Sequence, residues 1–113
     1  MPELRTATGA VLDWPVGHAA AAVVGPEGLR ASAGETERAF ALASVTKPLA
    51  AYAVLVAVEE GAVEWDTPAG PEGSTVRHLA AHTSGLSFSD GTVQAQPATR
   101  RIYSNVGFEV LGE

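Results

Sequence analysis

The stretch Leu49–Val58 constrains this chain more than any other part of it. It reads Leu-Ala-Ala-Tyr-Ala-Val-Leu-Val-Ala-Val and offers no polar face. A helix that is apolar all round must be covered on every side, so the segment predicts a central, buried helix. Both of its ends are marked. Glu59, Glu60 and Gly61 close it, and glycine suits the position just past a helix, where φ is usually positive. Pro48 has no N–H to donate, so it belongs in the first turn, where that donor would be unpaired anyway. The helix is therefore expected to begin near Ser44. Even with Pro48 the apolar run falls well short of the about 20 residues that cross a bilayer, so no membrane span is expected.

The cover must come from a chain of 113 residues, which is room for one domain. His18–Val24 is apolar and runs into Gly25-Pro26-Glu27-Gly28, a strong turn signal. Leu29–Ala33, Gly34 and Glu35–Ala41 follow, and the whole reads as two or three short antiparallel strands. A short helix is expected before Pro15. Glu64–Ser74 reads as loop, Thr75 as the cap of a helix over Val76–Thr83 that Gly85 stops, and Phe88–Thr99 as irregular. Asn105 is expected to cap a last helix from near Val106. An isolated helix that short is marginal, so the chain is expected to stop inside an element. The fold class is thus α+β, with antiparallel strands packed on a buried central helix.

Several functions are excluded at once. There is no cysteine, which removes disulfides, thiolate metal sites and cysteine nucleophiles. The net charge of −6 argues against nucleic acid as a partner. The first residues show no basic stretch followed by an apolar run and a cleavage site, so a cytoplasmic location is expected.

Chemistry is concentrated in two short motifs. Lys47 is the only lysine, and Ser44 stands three residues before it. On a helix, i and i+3 share a face, so the lysine nitrogen can approach the serine hydroxyl. A serine hydroxyl becomes a nucleophile when a neighbour accepts its proton. A lysine does so only when neutral, a state favoured by burial and by the positive end of a helix dipole. That same helix start would turn the Ser44 N–H toward a developing oxyanion. The second motif is Tyr103-Ser104-Asn105, which holds the only asparagine and one of two tyrosines. A tyrosine beside a cation can lose its proton below about pH 10 and act as a base. An asparagine amide can hold a substrate carbonyl or orient the lysine. Simpler readings stand beside these: Ser44 and Asn105 as helix caps, Lys47 as a solvated charge, Tyr103 as a core aromatic. His78 and His82 have the i, i+4 spacing of a metal pair, but two ligands are too few and no metal is expected; His82 near a helix C-terminus reads more simply as a dipole and hydrogen-bond partner. Trp14, Trp65 and Phe88 read as packing residues rather than a substrate shelf, though Phe88 lies in a loop that could border a cleft.

Ser-x-x-Lys followed by Tyr-x-Asn resembles the serine β-lactamase and penicillin-binding-protein superfamily, in particular its class C β-lactamase, D-alanyl-D-alanine carboxypeptidase and esterase branch. Phe40–Leu49 looks like that branch's nucleophile region. Val76–Leu86, with His82-Thr83-Ser84-Gly85, looks like its helix and turn between the two motifs. The resemblance covers residues 18–113 and implies a β-lactamase-like fold. It implies that Ser44 is acylated, that Lys47 and Tyr103 shuttle its proton, and that Asn105 contacts the substrate amide. No cofactor is implied. The family's third motif, Lys-Thr-Gly or His-x-Gly, lies on a later strand that this chain does not contain, and further C-terminal strands complete the family's sheet. Residues 1–113 are therefore expected to be the N-terminal part of a single hydrolase domain with an incomplete sheet.

The function expected is that of a serine hydrolase acting through an acyl-enzyme. Small esters, β-lactams or D-Ala-D-Ala-like peptides are the substrate classes implied, with an esterase or β-lactamase-related enzyme preferred. The alternative is a non-catalytic module whose open sheet edge pairs with a second copy or with a partner chain.

Overall fold

The computed structural model describes residues 2–113. The chain divides into two compact units, residues 1–41 and 42–113. Each is built from its own short-range elements.

The first unit holds helix α1, Pro2–Gly9, a 3₁₀ turn over Ala10–Asp13, and strands β1, Ala20–Gly25, and β2, Gly28–Gly34. The strands pair antiparallel through the two-residue turn Pro26-Glu27, as the glycine-flanked turn signal predicts. Val23 faces Ala31 while Val24 faces Leu29, so Arg30 is the extra residue of a bulge. α1 packs on β2, and Thr8, Val11 and Ala31 form the small buried centre. The buried Thr8 hydroxyl is satisfied by the Leu4 carbonyl at 3.0 Å. Of the two or three strands expected, two form, and Glu35–Ala41 adds no third. The Glu35 N–H still pairs with the Ala19 carbonyl, but Thr36 and Arg38 then donate to Gly34 and Glu35. Those local bonds fold the backbone into a turn and leave no ladder to extend.

The second unit holds α2, Thr46–Glu59, α3, Val76–Ala80, and α4, Asn105–Leu111. α2 is preceded by a 3₁₀ turn over Ala43–Val45, so Ser44 lies just ahead of the helix and Pro48 in its first turn. Its far end is a Schellman motif. Gly61, at φ +76°, donates to the Val58 carbonyl, and Ala62 donates to Ala57. α3 is shorter than the span Val76–Thr83, because His82 turns left-handed at φ +58°. Val76, Leu79 and Leu86 make the apolar core here, with His82, Ser84, Ser87 and Ser104 buried among them.

The expectation of a fully buried α2 needs correction. No residue of α2 is fully buried. Lys47, Ala50, Ala51, Val54, Ala57 and Val58 form one half-covered stripe, while Leu49, Tyr52, Leu55 and Val56 are exposed. The pattern shows that a helix wants cover on all sides, whereas α2's contacts within this unit reach only one of them.

The cap of α4 is also displaced by one residue from the expected one. Ser104, not Asn105, is the N-cap, and its hydroxyl accepts the Gly107 N–H at 2.8 Å. The same oxygen donates to the Ser87 carbonyl at 2.6 Å. Ser104→Ala should leave both groups unpaired in a buried place. A loss of about 2 kcal/mol follows from a missing cap and an orphaned carbonyl. A shift in the urea unfolding midpoint measures it.

Candidate active site

Because Ser104 does the capping, the Asn105 side chain turns to α2. Its Oδ1 accepts a hydrogen bond from Lys47 Nζ at 2.7 Å. Lys47 Nζ also donates to Ser44 Oγ at 3.2 Å, across the i, i+3 step read from the sequence. The same ammonium nitrogen lies 4.7 Å from the centre of the Tyr103 ring. Lys47 thus meets the other three sequence-predicted site residues, Ser44, Tyr103 and Asn105.

The backbone ahead of Ser44 is strained. Ala43 is left-handed at φ +46°, which costs an L-residue about 1–2 kcal/mol. The strain sets Ser44 into a tight turn whose first bond runs from the Val45 N–H to the Leu42 carbonyl. The Ser44 N–H precedes that bond and lies at the start of the helical segment, where donors point outward.

Electrostatics act most clearly on Tyr103. Hydrogen bonding with the Ser44 hydroxyl, and then with Lys47, holds its phenol below the usual value of 10.0. The phenolate is easier to form here than in water because its charge meets a donor and a cation. A cleft of about 360 Å³ opens beside these groups, lined among others by Ser44, Lys47, His82, Arg101, Tyr103 and Phe108.

Comparison with known proteins then places the chain. A family model described as Beta-lactamase matches residues 8–113. The chain belongs to the beta-lactamase family. It is 65% identical to a beta-lactamase of known crystal structure from Mycobacterium bovis, with a TM-score of 0.85 over 90% of this chain and 38% of that one. It is also 32% identical over 83 residues to an uncharacterized protein of Alkalihalophilus pseudofirmus, covering 64% of this chain and 25% of that protein. The chain therefore spans well under half the length of either relative. Among the described residues no helix is long and apolar enough to cross a membrane.

Within this member of the family, three further features surround the site. Phe88, read as a packing residue in a loop that could border the cleft, is 54% exposed and stacks on Tyr103 with ring centres 6.1 Å apart. It forms an edge of the site. Asp90 ties the same loop: it accepts from the Ser87 hydroxyl and from the N–H and hydroxyl of Thr92, which pulls its carboxyl down to about 2. The two histidines part company. His78 Nδ1 takes the Thr75 N–H at 3.1 Å at the start of α3. His82 Nδ1 takes the Ser104 N–H at 3.0 Å, beneath Tyr103. Among the described residues no cluster of three His, Asp or Glu side chains is placed to hold a metal. Trp14 is 57% exposed rather than packed.

Proposed function

We propose that these residues are the acylating machinery of a serine hydrolase, and that residues 1–113 are the N-terminal part of its domain. Ser44 Oγ attacks the substrate carbonyl while its proton passes to Lys47 as the free amine or to Tyr103 as the phenolate. The Ser44 N–H donates to the oxyanion of the tetrahedral intermediate. The intermediate expels its alcohol or amine, which takes up the proton, and water then cleaves the acyl-serine. Asn105 holds Lys47 through Oδ1, and its amide nitrogen has two hydrogens to offer a substrate carbonyl. The substrate class is a small ester or a β-lactam-like amide, with D-Ala-D-Ala-like peptides the further candidate.

The observation that carries this reading is the meeting of Ser44, Tyr103 and Asn105 on one ammonium nitrogen. A structural serine or a solvated lysine would need none of that convergence. The family gives independent support, since the chain is similar to a protein described as a beta-lactamase.

A fluorophosphonate tests the proposal. It loses fluoride as it phosphonylates an activated serine. Of the seven serines, Ser44 alone should carry the adduct in a peptide mass map. An adduct elsewhere, or none, would sink the assignment. The exposed side of α2 favours a second reading, in which a partner chain must cover that helix before the site works. In that case labelling of Ser44 would appear only after the partner is added.

A further inference from the structure

The family resemblance leaves His82 as part of a turn, but its contacts single it out. His82 is 7% exposed and sits where α3 has ended. Its left-handed backbone at φ +58° is an uncommon choice for a residue other than glycine, and the fold retains it against a cost. Four contacts follow from that turn. The His82 carbonyl accepts the Ile102 N–H at 2.8 Å, and His82 Nδ1 accepts the Ser104 N–H at 3.0 Å. Its ring lies 4.6 Å from the Tyr103 ring and 5.1 Å from that of Phe108 on α4. One side chain and its own carbonyl therefore grip three consecutive residues, with Tyr103 in the middle.

We propose that neutral His82, its Nδ1 accepting from Ser104, is the positioning residue that holds Tyr103 against Lys47 and Ser44, and that protonation of Nδ1 releases the grip. The inference rests on the hydrolase reading for its consequence, not for its geometry.

A backbone N–H can be accepted only by a bare ring nitrogen, so the proton of the neutral ring is on Nε2. A second proton on Nδ1 would set a donor against a donor, and the Ser104 N–H is buried with nothing else to take it. The surroundings oppose that proton too. Lys47 faces His82 from α2, Arg101 and Tyr103 from the extended segment, and α4 offers the Phe108 ring. Burial first, then the charges of Arg101 and Lys47, lower the imidazole below its usual 6.5. The sign is then fixed. Above pH 6.5 the ring is neutral and the grip intact. As pH falls through the lowered value, the ring charges and Tyr103 is let go. A histidine that merely filled space would be replaced without loss by any side chain of its size.

Two variants in a Tyr52→Phe background separate these roles. His82→Asn keeps an acceptor oxygen and tolerates the left-handed backbone, but does not titrate. His82→Leu keeps volume and loses the acceptor. Tyr103 is followed by its phenolate absorbance, and Ser44 by the rate of fluorophosphonate adduct formation between about pH 5 and 9. His82→Leu should return the phenol toward 10 and slow labelling at least about tenfold above pH 6.5, with the gap to the parent closing as pH falls through the His82 pKa. His82→Asn should restore both. On the acid side, the parent's rate should fall with two protons below the His82 pKa, and that of His82→Asn with one. A normal phenol and rate in His82→Leu, or a two-proton limb kept in His82→Asn, would overturn the proposal. Should no version label at Ser44, the hydrolase reading fails, and the phenol titration alone then decides the role of His82.

Discussion

Replacing Lys47 with methionine is expected to slow phosphonylation of Ser44 about a thousand-fold, or about 4 kcal/mol in the barrier. The size of the effect comes from the number of functions that meet on one nitrogen. Lys47 Nζ is hydrogen-bonded to Ser44 Oγ at 3.2 Å, so it is in place to take the proton itself. When charged it is instead the cation beside Tyr103, one of the two groups that hold that phenol below 10.0. On the proposed mechanism, either choice of base depends on Lys47. Methionine preserves the length of the side chain, so α2 and its half-covered stripe should persist. The change should appear in the labelling rate and hardly in the unfolding midpoint. Lys47→Arg then divides the roles. A guanidinium stays protonated and cannot accept a proton, yet it can still support a phenolate. No recovery with arginine assigns the base to Lys47, whereas a partial recovery assigns it to Tyr103. A wild-type rate in Lys47→Met would remove Lys47 from the chemistry altogether.

Much of this site could be read from short-range patterns. Ser44 and Lys47 meet because a helical step brings i and i+3 together, and that step is local. The β1–β2 hairpin follows from a two-residue turn between glycines, and the end of α2 follows from Gly61. What escaped is what depends on residues far apart in sequence. His82 reads as a hydrogen-bond partner from its place at a helix end, but His82 and Ser104 are brought together only by the fold, so nothing near His82 marks its ring as an acceptor for that N–H. The cap of α4 was ambiguous for a different reason. Ser104 and Asn105 are adjacent and both suit the position, and the Ser87 carbonyl decides between them by engaging Ser104. Asn105 is thereby left for Lys47, so a choice of cap becomes a feature of the site. The exposure of α2 is a third kind of miss. Hydrophobic pattern states how much surface a helix needs to lose, but not which segment takes it up. The strand missing after Gly34 shows local bonds winning over a ladder, where Thr36 and Arg38 close a turn on the residues just before them.

The largest expected loss of stability lies at Gly85, in the turn that carries His82. A Cβ there would stand 1.9 Å from the Ala95 carbonyl oxygen and 2.9 Å from its carbon. Both are backbone atoms, so no side chain can swing aside. The residue is also left-handed at φ +91°. Gly85→Ala should therefore cost at least about 3 kcal/mol, the sum of backbone strain and a forced displacement of the Ala95 segment. Gly91 supplies the control. It is left-handed too, at φ +77°, but its added Cβ would meet only the Val106 Cγ1 at 4.0 Å. Gly91→Ala should cost about 1 kcal/mol, from conformation alone. The difference between the two urea midpoints isolates the clash. Function should follow the same order. The Gly85 carbonyl accepts the Gln94 N–H at 2.8 Å, and the Thr83 carbonyl accepts the Ala98 N–H at 2.9 Å, so the turn is bound to the segment leading to Tyr103. Pushing that segment away would move Tyr103 off Lys47. Labelling at Ser44 should then fall in Gly85→Ala even where the chain is still folded, and should survive in Gly91→Ala. Equal midpoints for the two variants would mean that the close approach of Gly85 to Ala95 is not a feature of the folded chain.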